Sequence, residues 1–126
     1  MGNPPFRPVK EIEREIERGD LRMAVAIAKD FAARNGRPIP LAVALKLLPL
    51  VAAKRPDRYD AWARRWLIRW LTEGQQPTIE AAADVAASLA DLPSEPAVAD
   101  EAIREVARLA PNARNRDAAV KLDADA

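Results

Sequence analysis

The sequence predicts an all-α domain of about six short helices, paired as antiparallel helical hairpins. Three observations carry this reading. Apolar side chains recur three and four positions apart through most of the chain, the spacing that gathers them on one face of a helix. Alanine, the best helix former, is the commonest residue, at 27 of 126. Glycine and proline fall between the periodic stretches, where they stop one helix and admit the next. A chain of 126 residues, 31% charged and 49% apolar, is one domain long and able to bury a core.

Residues 1–8, with Pro4, Pro5 and Pro8, are expected to form a disordered arm, and residues 9–110 a single helical domain. The first helix is expected over 9–18. Val9, Ile12 and Ile16 line one side, and Glu11 with Arg14 and Glu15 with Arg18 are spaced for ion pairs. Gly19 ends it. Asp20 suits the N-cap of a second helix running to Arg34, with Leu21, Ala24, Ile27, Ala28 and Phe31 as its stripe and Asn35-Gly36 as its stop. A third helix follows over 41–54. Pro49 inside it removes a backbone hydrogen bond and predicts a kink or break between Leu45 and Pro49. Pro56 stops any continuation. A fourth helix is expected over 57–73, capped by Gly74. Thr78 should cap a fifth, to Asp91, with Ile79, Ala82, Ala86 and Leu89 facing inward and Val85 beside them. Ser94 should cap a sixth, to Ala110, with Val98, Ala102, Ile103, Val106 and Leu109 inward. Residues 111–126 have little apolar content and are expected to be a disordered tail.

A shift of 38 residues lays Gly36 on Gly74, Leu41 on Ile79, Leu47 on Val85 and Val51 on Leu89, a weak repeat of helical pairs. Within this region, Leu50 to Trp62 reads L-V-A-A-K-R-P-D-R-Y-D-A-W. The stretch resembles the junction between tetratricopeptide repeats, where a proline after one helix precedes an Ala-Trp pair in the next. The resemblance covers about a dozen residues and implies an array of helical hairpins, which in extended form is a small right-handed stack of the tetratricopeptide or HEAT kind.

Cysteine and histidine are both absent. That excludes disulfides, thiolate nucleophiles, the usual zinc sites and the commonest general base. No glycine-rich phosphate loop or clustered acidic ligand set appears. Asp57 and Asp60 near Tyr59, and Asp84 and Asp91 on the fifth helix, read as N-caps or solvated positions. The expectation is a non-enzymatic protein with no cofactor and no metal, the alternative being a carboxylate-based activity. The longest apolar run, Ile39 to Ala53, is too short for a bilayer and is interrupted by Pro40, Lys46 and Pro49. No signal-peptide core follows Met1, so the protein is expected in the cytoplasm and off the membrane.

Net charge is +1, unevenly spread. Residues 21–75 carry 11 basic and 4 acidic side chains, whereas residues 76–126 carry 5 and 10. A basic middle beside an acidic end is either internal balance between helices or a docking surface for an acidic partner. The fourth helix concentrates this question. Tyr59, Ala63, Trp66, Leu67 and Trp70 share one face, and Arg58, Arg65 and Arg69 share a flank, with Trp62 on the border. Ala61 and Ile68 lie opposite, the pattern of a central helix packed on two sides. Trp66 and Trp70 belong in the core. Trp62 could anchor a partner side chain, stack on a base, or make an internal cation–π contact with Arg65 or Arg69. The candidate partner-binding set is therefore Arg58, Trp62, Arg65 and Arg69. The expected partner is another protein, with nucleic acid as the alternative. A helix-turn-helix over Ile27 to Leu48 would read DNA poorly, since its second helix offers only Lys46 to a groove. The oligomeric state is open at this level.

Overall fold

Capping side chains, left-handed glycines and prolines set most of the helix boundaries. The computed structural model describes residues 8–73 and 76–109, and among these there are six α-helices and no strand. They are α1 Pro8–Arg18, α2 Leu21–Asn35, α3 Leu41–Lys54, α4 Pro56–Glu73, α5 Ile79–Asp91 and α6 Pro96–Ala107. The arm expected over residues 1–7, the cap expected at Gly74 and the tail expected over 111–126 lie outside the described residues. Pro8, assigned to the arm, is instead the first residue of α1, because a proline ring is already set for a helical first turn.

Both spaced ion pairs of α1 are present, Glu11–Arg14 at 3.6 Å and Glu15–Arg18 at 3.5 Å. Gly19, at φ +77°, turns the chain in a conformation that penalises side chains. Asp20 then accepts the Met23 amide at 3.0 Å. Gly36 closes α2 in the left-handed region, its N–H donating to the Ala32 carbonyl at 2.9 Å. Thr78 caps α5 as expected, accepting the Ala81 amide at 3.1 Å. Ser94 does not cap α6. Glu95 holds that position without a side-chain bond, Ser94 sits in the turn donating to the Asp91 carbonyl at 3.0 Å, and Pro96 starts the helix. The expected break at Pro49 is also not seen, since α3 runs through it without interruption. The stop comes at Arg55, the residue before Pro56. The proline ring forces Arg55 out of helical geometry, to φ −137° and ψ 65°, and then opens α4 itself.

With connectors this short, successive helices fold back on one another, and the closest pairs are α1 with α2, α3 with α4, and α5 with α6. The Trp66 indole N–H donates to the Leu41 carbonyl at 2.9 Å, which sets the far half of α4 beside the start of α3. Helix α4 also packs on α5, where the Tyr59 hydroxyl donates to the Leu89 carbonyl at 2.6 Å. Helix α6 returns to α3, its Arg104 donating to the Ala42 carbonyl at 3.3 Å. Helices α3 to α6 thus close into a four-helix ring.

The α1–α2 hairpin covers the other side of α3. The central helix is therefore α3, not α4. Its Val43 and Leu47 join Ile12, Ala24 and Ile39 in one apolar cluster. Its Leu45, Leu48 and Val51 join the larger ring core with Trp66, Trp70 and Ile103. Buried on both sides, α3 cannot enter a DNA groove, and Lys46 is bonded to Glu13 of α1. The helix-turn-helix arrangement is thereby excluded.

Three apolar positions expected inside are outside. Ile79 is 87% exposed and Ala86 is exposed, so the buried face of α5 centres on Val85 and Leu89. Val98 is 64% exposed, and Ala99 takes its inward place on α6. On α4, Ala61 and Ile68 face solvent, so that helix buries one side only.

Tyr59 offers a test of the ring core. Burial, with a smaller contribution from the charge of Asp60, pushes its hydroxyl up to about 12. The fold favours the neutral phenol, so this contribution is intact below the ordinary tyrosine value and is lost as pH rises through the folded one. As Tyr59 is the single tyrosine of the chain, an ultraviolet titration of tyrosinate reads it directly. A midpoint near 12 is expected, and a midpoint near 10 would mean the ring is not buried. Tyr59→Phe should remove the alkaline sensitivity and cost about 1 kcal/mol at neutral pH through its lost hydrogen bond.

Candidate partner-binding groove

Helices α2 and α4 stand on either side of α3 and leave a furrow above it. The hollow is about 300 Å³. Its floor is apolar: Ala44, Leu47 and Leu48 of α3, with Trp66 of α4. One wall is the face of α2 that carries Val25, Ala28, Lys29 and Ala32, one helical turn apart and mostly small. The opposite wall is the flank of α4 with Trp62, Arg65 and Arg69. Pro38 and Ile39 of the α2–α3 connector line the furrow as well. The short side chains of α2 keep the hollow open, while the large rings of α4 give it depth.

Three of the four residues read from the sequence as binding candidates meet in this groove. Trp62 is half-buried and packs against both apolar clusters, so it holds the α1–α2 hairpin to the ring while showing an edge to the groove. Trp66 and Trp70 are core residues, 3% and 4% exposed, with rings stacked 6.3 Å apart. Among the described residues no cation–π contact involves Trp62. Arg65 is exposed and pairs with no carboxylate among the described residues.

Arg69 has a different position. Its guanidinium donates to both Glu73 carboxylate oxygens, at 2.8 and 3.1 Å, and to the Ile39 carbonyl at 2.9 Å. It ties α4 to the α2–α3 connector and closes one end of the furrow. The same bonds from Arg69 hold the Glu73 carboxyl below the ordinary glutamate range. The clamp is therefore at full strength above that range and is lost as pH falls through the lowered value. Arg58 is exposed on the first turn of α4 but does not line the groove.

Lys29 was not legible as a candidate. It is exposed, opposes Arg65 across the furrow and pairs with no carboxylate among the described residues. Its sequence context, between Ala28 and Asp30, is that of an ordinary solvated helix position. Only the packing of α2 opposite α4 brings it to the groove.

The acidic side chains of the later helices do not neutralise these cations. Glu80, Asp84, Asp91, Glu101 and Glu105 are all exposed, and none is paired with Arg58, Arg65 or Arg69. Among the described residues no group of three or more carboxylates is placed to hold a metal ion, and no helix is long and apolar enough to cross a membrane. Comparison with protein-family models, with curated proteins and with solved structures finds no match to this chain.

Proposed function

We propose that the chain is a non-enzymatic, cytoplasmic helical module that binds another protein through the α2–α4 groove. The observation that carries this is the pairing of an apolar floor with two cations, Lys29 and Arg65, that have no acidic partner among the described residues. Such a furrow suits one amphipathic helix lying lengthwise, its apolar side on Leu47 and Leu48 and its acidic flanks toward Lys29 and Arg65. Trp62 supplies a rigid edge for the apolar anchor. A mainly apolar floor favours a protein ligand over nucleic acid, whose binding rests on rows of phosphate contacts.

The test is capture from a native extract, with and without nuclease treatment, using wild-type and Lys29→Glu/Arg65→Glu chains, followed by reconstitution with the identified protein. Both substitutions are at exposed positions and should leave the circular dichroism spectrum unchanged. The double variant is expected to weaken binding at least tenfold, and Ala28→Arg, which fills the furrow, to abolish it. Equal binding by all three chains would place the site elsewhere. Retention of nucleic acid instead, with affinity falling steeply as salt rises, would replace the protein reading with the nucleic-acid one.

A further inference from the structure

We propose that residues 118–125 of this same chain fill the α2–α4 groove until an outside partner displaces them, a regulation that rests on the groove reading. The sequence continues past Leu109, and residues 110–126 lie outside the described residues. Residues 118–125 read A-A-V-K-L-D-A-D. At helical spacing Ala118, Ala119 and Leu122 share one face. Asp123 and Asp125 fall on opposite flanks of that face, roughly 90° and 70° from its middle. Val120, Lys121 and Ala124 take the outer side.

Each feature of the groove meets its counterpart in this segment. The hollow of about 300 Å³ over Ala44, Leu47 and Leu48 admits one leucine and a few methyl groups, which Leu122, Ala118 and Ala119 supply. Lys29 and Arg65 stand on opposite walls, neither paired with a carboxylate among the described residues. The segment brings one carboxylate to each side. The stretch before α1 offers no such match, since residues 1–7 hold Arg7 and no acidic side chain.

The segment is also within reach. Leu109, at the end of α6, lines one hollow together with Leu41. Leu41 lines a second with Pro38 and Arg69, and those two line the groove. Open depressions therefore run from the end of α6 to the groove. Along α3, Leu41 precedes Ala44 of the groove floor by one turn, about 5 Å. Residues 110–117 can span up to about 26 Å, ample for that path. Arg114 and Arg116 in this connector complement Glu73, which lines the middle hollow. An isolated helix this short is marginal in water, which keeps docking reversible. On such a tether the effective concentration is on the order of 1 mM, so a segment that binds as a free peptide at about 100 μM fills the groove in about nine chains of ten.

The chain has no cysteine, so Ala124→Cys in the full chain takes a single nitroxide label on the outer side of the segment. The label should broaden the amide resonances of Val25, Lys29, Ala32 and Arg65, and not those of Ala86 to Asp91. Lys29→Glu/Arg65→Glu should remove that broadening. Adding Asp123→Lys/Asp125→Lys to the same chain should restore it, which a merely structural effect of the groove variant would not do. A fluorescein-labelled peptide of residues 116–126 should bind the full-length Leu122→Asp chain about tenfold more tightly than wild type, because the tethered competitor is gone. Equal affinities would overturn the proposal. So would broadening that ignores the charge variants, or broadening seen only between labelled and unlabelled chains in a mixture, which would assign the segment to a second copy. Absence of groove broadening overturns the docking of this segment alone, since capture of a partner by the groove is read independently. A partner indifferent to Lys29 and Arg65, with the broadening intact, would refute the outside partner and uphold the segment.

Discussion

Trp66→Ala is expected to lower the unfolding free energy by about 3–5 kcal/mol, a loss that few single substitutions in this chain should match. The ring is almost wholly buried, stacks on Trp70, and lies where α3, α4 and the groove floor meet. Its removal leaves a cavity that the surrounding helices cannot fully close, because Trp70 and Leu48 are themselves packed in place. The substitution also removes the indole N–H that bonds the Leu41 carbonyl across the α3–α4 pair. Urea denaturation followed by circular dichroism measures the change. Trp62→Ala should cost less than half as much, since that ring is only partly buried and bridges two clusters without lying at the centre of either. Equal losses at the two positions would make Trp62 a core residue.

Ile12→Asp is expected to detach the α1–α2 hairpin while α3 to α6 remain folded. Ile12 is fully buried in the smaller cluster, where it meets Ala24, Val43 and Leu47. A carboxylate there has no cation on the inner face to meet, since Lys46 is already bonded to Glu13. Burying it would cost about 4 kcal/mol or more, so undocking the hairpin is the cheaper outcome. Trp66 and Trp70 belong to the other cluster and should keep their native fluorescence. Hydrogen exchange should accelerate over residues 8–36 and not over α5 and α6. Cooperative loss of both regions together would show the two clusters to be one folding unit.

The fold was readable wherever a backbone group is satisfied by a near neighbour. Asp20, Gly36 and Thr78 act within three or four residues, and each does what its chemistry predicts. Faces were harder to read where alanine dominates. On α5 alanine falls on the buried and the exposed arc alike, and Ile79 on the exposed one mimics the Val85 and Leu89 of the other, so the neighbours decide. The Trp62 and Arg65 wall of the groove followed from the pattern of α4 alone. Lys29 and the small-residue wall of α2 did not, because they line a groove only when a distant helix packs opposite. Arg69 shows the converse. Its helical position matched Arg65, but the Ile39 carbonyl within reach turns it from a free cation into a clamp.

The single-residue link at Arg55 bears on how fast this chain finds its fold. The longest helix and the most buried one are joined with almost no chain between them, so they meet at nearly no loop-closure cost. Most close helix pairs are likewise neighbours in sequence, the exceptions among the described residues being the packing of α1 on α3 and the return of α6 to α3. Low contact order of this kind belongs to chains that fold in microseconds to milliseconds. The α3–α4 hairpin is the natural nucleus, and a glycine-serine insertion at Arg55 should slow refolding far more than the same insertion between α2 and α3.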